Sequence, residues 1–331
     1  MRPGGPGRNV SGDGPDLWAL YLAVFASSLA VVLIATPWAI SAAHRLGVLD
    51  VPSDRKVHLQ PIPLLGGVAI YAAIWLALLL ISRLEVARQY VFLPDVTSEL
   101  ALIFLSTVVL ILVGILDDRR AGGIAPWAKL FGQVLAAGIV LVAGVRFQVF
   151  GTPLLDSVLT LVWLVGISNA VNFLDNMDGL SAGATAIAAA FFFVLASANG
   201  QYLVAIMALA VAGGCLGFLR YNFNPAIIFM GDAGTLFLGF LLAIIGAKLR
   251  LGPAGWWGLI AAVLILILPI FDTTFVTLNR LRTGRGVTQG GKDHTSHLLV
   301  RRGFPHRQAV LVLYTVALVG GSAALALTWS G

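Results

Sequence analysis

Ten long apolar runs, separated by short polar connections, restrict this chain more than any other feature. Their approximate limits are 17–43, 64–82, 98–116, 126–144, 153–171, 179–197, 201–220, 233–249, 255–278 and 308–329. Apolar runs of about 17–25 residues are long enough, as helices, to cross the hydrocarbon of a bilayer. No water reaches the backbone there, so irregular lipid-facing chain is excluded and a helical bundle remains. Composition agrees: 59% of residues are hydrophobic and only 11% charged, with a mean hydropathy of +0.93. A soluble domain carries about a quarter charged residues. The expectation is an all-α, polytopic integral membrane bundle of about ten transmembrane helices, formed as one domain by residues 17–331. Residues 1–16, MRPGGPGRNVSGDGPD, are rich in Gly and Pro and lack an apolar core. They read as a disordered tail rather than a signal peptide, and the first run as an uncleaved span.

Positive charge sets the orientation. With the loop after the first run inside, the inner loops carry Arg45, Arg55, Lys56, Arg119, Arg120, Arg220, Arg280, Arg282, Arg285, Lys292, Arg301, Arg302 and Arg307, and Lys129 belongs to the same end. The other side holds only Arg2, Arg8, Arg83, Arg88, Arg146, Lys248 and Arg250. This bias places both termini outside. The basic residues lie in short loops and form no stripe interleaved with aromatics, which argues against nucleic-acid binding. The lone cysteine, Cys215, sits in an apolar run and reads as a small buried hydrophobe.

The same parity gathers the unusual polar motifs on the inner face. They are Ser53-Asp-Arg-Lys-Val-His58 with Pro61, Pro63, Gly66 and Gly67; Asp117-Asp118; Asn169 through Leu180, with Asn169, Asn172, Asp175 and Asp178 each three residues apart; Asn222 and Pro225 followed by Phe229-Met-Gly-Asp232; and Lys292-Asp-His-Thr-Ser-His297. If helical, the Asn/Asp set forms one slanting polar ridge at the membrane boundary, which is unfavourable unless something polar binds there. Five motif-bearing loops on one face look like one composite site.

Carboxylates gathered near a membrane repel one another, so a cation is the simplest reason to collect them. Oxygen donors without a Cys/His set favour a hard ion such as Mg²⁺, completed by water and substrate phosphates. Arg55, Lys56 and Lys129 add positive charge for a phosphate-rich ligand, and metal plus phosphate plus Lys/Arg is the equipment of phosphoryl transfer. His294 and His297 can hydrogen-bond a diphosphate or sugar; a third zinc ligand is not evident. Plainer readings exist: Asp117-Asp118 as a solvated helix end, Asp232 as a helix cap, Lys129 as a snorkelling lysine, His58 as an interfacial anchor. Asp272, after Pro269 in the ninth run, either lines the site or bonds backbone freed by the proline. No nucleotide-binding loop of the Gly-x-x-x-x-Gly-Lys-Ser/Thr type and no dinucleotide fingerprint is present, and Ser/His/Asp catalysis is not indicated.

Taken in order, Arg55-Lys-x-His58 with Pro61, Pro63 and Gly66-Gly67, Asp117-Asp118, Asn169–Leu180, Phe229-Met-Gly-Asp232 and His294–His297 resemble the polyprenyl-phosphate N-acetylhexosamine-1-phosphate transferases. That superfamily, glycosyltransferase family 4, includes the GlcNAc-1-phosphate transferases and the phospho-MurNAc-pentapeptide translocase. The likeness runs from residue 17 onward and implies a catalytic domain in a bacterial plasma membrane, with its site on the cytoplasmic face. It implies attack of a lipid phosphate, undecaprenyl phosphate, on the β-phosphate of a UDP-amino sugar, releasing UMP with Mg²⁺ (or Mn²⁺) as cofactor. Carried over, Asp117, Asp118, Asp175 and Asp178 are catalytic; Asp232 and Asp118 bind metal; Arg55, Lys56, His58, Lys129, Asn169, Asn172, Asn222, His294 and His297 bind substrate. Two stretches depart from the common wording, Asp175-Asn176-Met177-Asp178-Gly179 where many members read Asp-Gly-x-Asp-Gly, and His294-Thr295-Ser296-His297 where others have a denser histidine cluster. The last loop lacks the pattern of the pentapeptide translocase, which favours a GlcNAc-type donor. A homodimer is suggested by the resemblance alone.

Two other classes compete. An ion-coupled transporter would place its acids near the midplane on broken helices within inverted repeats, whereas these acids cluster at helix ends without a repeat. A lipid-gripping scaffold explains the basic loops but not Asp117, Asp118, Asp175, Asp178 and Asp232.

Overall fold

The computed structural model describes residues 15–52, 60–120, 122–252, 255–286 and 291–329. Arg55, Lys56, His58 and the tail up to Gly14 therefore lie outside the described residues.

All ten apolar runs are helical. In chain order the elements are α1 (Pro15–Leu46), β1 (Leu49–Asp50), β2 (Ile62–Pro63), α2 (Gly66–Ile81), α3 (Glu85–Tyr90), α4 (Pro94–Asp118), α5 (Pro126–Val142), α6 (Pro153–Leu174) and α7 (Leu180–Ala198). They continue with α8 (Tyr202–Asn222), α9 (Gly231–Lys248), α10 (Trp256–Ile265), α11 (Ile267–Arg282), α12 (Thr295–Arg301) and α13 (His306–Trp329). Proline opens α4, α5 and α6, where its missing N–H removes no helical bond and its fixed φ suits the first turn. The strands form one short antiparallel ladder, Leu49 opposite Pro63 and Asp50 opposite Ile62.

Seven described helices are long and apolar enough to cross a membrane alone, and the bent pair α10–α11 is an eighth candidate span. The expected count is about ten; the remaining two, α2 and α5, are apolar helices of 16 and 17 residues, at the short limit for crossing. The ninth run is bent by 73° between α10 and α11. Pro269 cannot donate to the carbonyl of Ile265 and its ring crowds that oxygen, so the helix breaks within the preceding turn, at Leu266.

Helix α9 runs through the centre, and every residue from Ala233 to Ala247 is buried. It packs against α2, α4, α6, α7, α8 and α10. Small residues allow this: a Cβ on Gly67 of α2 would collide with the backbone of Gly234, and one on Gly114 of α4 with the backbone of Ala233. The N-termini of α2, α5, α7 and α9 meet the C-termini of α4, α6 and α8 at one end of the bundle. That end carries the polar residues.

Candidate active site

Asp117 and Asp118 stand at the C-terminal end of α4, where the carbonyl end of the helix is a poor environment for negative charge. The N-terminus of α9 abuts it and offsets this. Asp118 accepts the backbone N–H groups of Asp232 (2.9 Å) and Ala233 (3.1 Å), one on each carboxylate oxygen. A carboxylate from one helix thereby caps another. Gly231 makes the turn with φ 66°, and a Cβ there would lie 2.5 Å from Asp118 Oδ2, so both the conformation and the space demand glycine. The turn before it is tied to α2: Gly66 N–H donates to Phe229 O (3.0 Å), Gly67 N–H to Met230 O (2.9 Å), and Phe229 N–H to Pro63 O (2.8 Å). The Gly66-Gly67 and Phe229–Asp232 motifs are thus two halves of one backbone junction.

Single carboxylate oxygens of Asp117, Asp118 and Asp232 lie within 4.8 Å of one another, close enough to share a metal ion. The Lys129 ammonium, from the first turn of α5, donates to Asp117 Oδ2 (3.1 Å) and to Asp232 Oδ2. A cation already sits between two of the three acids, and the oxygen-only donor set matches a hard divalent ion. Asp117 Oδ1 accepts Ile124 N–H (2.9 Å), which folds the loop after α4 under the site. Asn172 of α6 donates its Nδ2 to Asp232 Oδ1 (2.9 Å) and to Thr235 Oγ1 (2.7 Å), holding the carboxylate oxygen that Lys129 does not.

The polar ridge from Asn169 is split by the end of α6 at Leu174. Asn169 and Asn172 stay on the helix, one turn apart. Asn169 forms a reciprocal amide pair with Gln133 of α5 (2.8 and 3.1 Å) and also donates to Val165 O. Asp175 and Asp178 belong to the turn before α7. Asp178 Oδ2 accepts Asn224 Nδ2 (3.0 Å) and Ala226 N–H (2.9 Å), anchoring the segment that leads to Asp232. Asn222, buried at the end of α8, accepts Gly179 N–H and donates to Ile228 O. Asp175 differs: among the described residues its carboxylate has no side-chain hydrogen bond. Burial, then the charges of Asp232 and Asp178, push it up to about 7.

A second polar group adjoins the first. Asp272, fully buried on α11, accepts His294 Nδ1–H (2.7 Å), Thr295 N–H (2.8 Å) and Thr295 Oγ1–H (2.6 Å). Of the two readings of Asp272, neither backbone repair nor open lining describes it; it mounts α12 and orients His294. The His294 ring meets Phe173 edge-on at 6.4 Å and His297 at 6.1 Å. Burial, then His294, Lys292 and Arg301, depress His297 to about 4, so it is neutral at pH 7. Next to this pair Arg280 forms a two-pronged bond to Asp293 (2.9 and 3.0 Å) and holds that carboxyl below its ordinary range.

The structure therefore brings Asp117, Asp118, Asp232, Lys129 and Asn172 into direct contact, sets Asp175 within reach of the Asp232 charge, and places His294, with His297 next to it, against Phe173 at the end of α6. Asn169, Asp178 and Asn222 hold neighbouring backbone and helices. Sequence reading missed Thr235, Gln133, Asn176, Ser296 and the Arg280–Asp293 pair. Helical spacing carries a signal for two: Thr235 is three residues after Asp232, and Gln133 four after Lys129.

Comparison with known proteins places this chain among relatives. Residues 100–249 match the model of glycosyl transferase family 4. The chain is 33% identical over 312 residues to a probable undecaprenyl-phosphate N-acetylglucosaminyl 1-phosphate transferase of Bacillus subtilis, covering 92% of this chain and 84% of that protein. It is 33% identical over 335 residues to the decaprenyl-phosphate N-acetylglucosaminephosphotransferase of Mycolicibacterium smegmatis, covering 92% and 81%. A phospho-N-acetylmuramoyl-pentapeptide-transferase of Bacillus cytotoxicus is 37% identical over 207 residues, but only 57% of this chain and 61% of that protein are covered.

Proposed function

Because this chain belongs to glycosyl transferase family 4, we propose that it transfers N-acetylhexosamine 1-phosphate from a UDP-sugar to a polyprenyl phosphate in the membrane. GlcNAc-1-phosphate is the preferred donor group, because the relatives aligned over most of their length are named for that sugar and the pentapeptide-transferase match is shorter. The products are lipid-diphosphate-sugar and UMP. An oxygen of the lipid phosphate bonds to the β-phosphorus, and the bond from that phosphorus to the bridging oxygen breaks, so the electron pair leaves with UMP.

The observation that carries this reading is the Lys129 ammonium lodged between Asp117 and Asp232 at the mouth of the bundle. Two carboxylates that hold a cation there fit Mg²⁺, which would supply charge neutralisation for the diphosphate. Asp232 and Asp117 would be its holders, with Asp118 fixing Asp232 through the α9 N-terminus. Asn172 keeps the Asp232 carboxylate turned toward the site. Displaced from the acids, the Lys129 ammonium meets a phosphate oxygen. Asp175, whose carboxylate is uncommitted, faces the nucleotide or the attacking phosphate, and neutral His297 with Asp272-oriented His294 faces the sugar phosphate. The excess of Lys and Arg at the end that carries the site supports a cytoplasmic position for that end.

The test is UMP release by the purified protein with polyprenyl phosphate, Mg²⁺ and a panel of UDP-sugars. UDP-GlcNAc is expected to be the best donor. No UMP with any donor would sink the transferase reading, and a preference for UDP-MurNAc-pentapeptide would correct the sugar.

A further inference from the structure

Helix α12 has seven residues, too few to hold a position by its own hydrogen bonds. Side chains fix it instead. On one flank Asp272 binds His294 and Thr295. On the other, Ser296, fully buried, donates its hydroxyl to Asn176 Oδ1. Asn176 in turn donates Nδ2 to Phe173 O (2.9 Å), a carbonyl in the last turn of α6 that has few helical partners left. The same Phe173 presents its ring to His294. One asparagine thus spans the end of α6, the turn of Asp175 and Asp178, and the helix that carries His297.

We propose that Asn176 and Ser296 are positioning residues whose bond sets Asp175 and the two histidines in fixed register around one bound UDP-sugar. This rests on the transferase reading. Asn176 and Ser296 stand in the two stretches that depart from the common family wording, and in the fold those stretches touch. A glycine at 176 would offer no acceptor, and without Asn176 the Ser296 hydroxyl would lose the partner that its burial requires. The two departures therefore act as one structural unit. Of the substrate-contacting groups, Asp175, His294 and His297 depend on it; Asp117, Asp232 and Lys129 do not.

UMP release by Asn176→Ala, Ser296→Ala and the double variant, with UDP-GlcNAc and polyprenyl phosphate varied separately, tests this, together with hydrogen exchange over residues 294–301. Each single variant should raise KM for UDP-GlcNAc about tenfold while KM for the lipid stays within about twofold, and the double should be no worse than the more affected single. Ser296→Thr, which keeps the hydroxyl, should recover most of the loss. Exchange in α12 should quicken in both single variants. Losses that multiply in the double, or a fall in kcat with KM for UDP-GlcNAc unchanged, would overturn the proposal. So would unaltered exchange in α12. If wild type releases no UMP, the transferase reading falls, and exchange still judges the tie. Ser296→Ala removes one oxygen and adds nothing, which keeps the measurement separate from failure to fold.

Discussion

Asparagine at position 118 separates two jobs that sequence assigns to three neighbouring aspartates. Asp118 spends both carboxylate oxygens on backbone N–H groups of α9, at 2.9 and 3.1 Å. An asparagine has one acceptor, so Asp118→Asn loses one bond and turns an NH₂ toward an N–H. A hydrogen bond to a charged group contributes about 1.5–3 kcal/mol, and the interaction with the helix end adds up to about 2 in a buried geometry. Neutralising Asp118 also relieves its own crowding with Asp117 and Asp232, so the net loss expected is about 1–2 kcal/mol. At about 2 °C per kcal/mol for a chain of this size, Tm falls by roughly 2–4 °C. Asp117 gives one oxygen to a backbone N–H, which asparagine can still satisfy. Asp117→Asn also relieves repulsion among carboxylates 4.8 Å apart or less, so it should hold or raise Tm while losing activity. The assay is thermal unfolding of the detergent-purified proteins in excess EDTA, compared as a rank order. An Asp118→Asn protein as stable as wild type, or an Asp117→Asn protein that falls equally far, would refute the argument.

Three further outcomes follow from the same geometry. Lys129→Met should bind Mn²⁺, followed by electron paramagnetic resonance, at least as tightly as wild type, because the competing ammonium is gone, yet lose about 100-fold or more in kcat. Loss of Mn²⁺ binding would show that the lysine builds the metal site rather than occupying it. His297, held near 4, stays neutral while the unfolded chain binds a proton below about 6.5. Its contribution to stability is therefore lost as pH falls from about 6.5 to 4, and His297→Gln should flatten that part of the stability profile. Asp175, raised to about 7 in the metal-free protein, has the opposite sign: the folded state holds the proton more firmly, so stability falls as pH rises from about 4 to 7. Asp175→Asn should gain on wild type across that window in EDTA, and parallel profiles would contradict the assigned burial.

Much of the architecture is legible in sequence because hydrocarbon permits few backbone solutions. The ten apolar runs each became helix, and the break in the ninth follows from Pro269. The gathering of Asp117, Asp118, Lys129, Asn172 and Asp232 at one end follows from alternation of the spans. Residue type and spacing cannot say which oxygen each N–H will use. That is why Asp118 looked like a twin of Asp117 and proved to cap α9, and why Asp178 and Asn222 proved to hold loop backbone. Asp272, Asn176 and Ser296 were illegible for the same reason. Their partners are 22, 23 or 120 residues away in the chain, and only the docking of α12 beside α6 and α11 makes them neighbours. Apolar length and charge parity are local properties of the chain, and they are enough to imply a bilayer-spanning helical bundle with acids and lysine at one end. The folded arrangement adds which carboxylate oxygens are already claimed by backbone N–H groups, because those bonds join residues far apart in the chain.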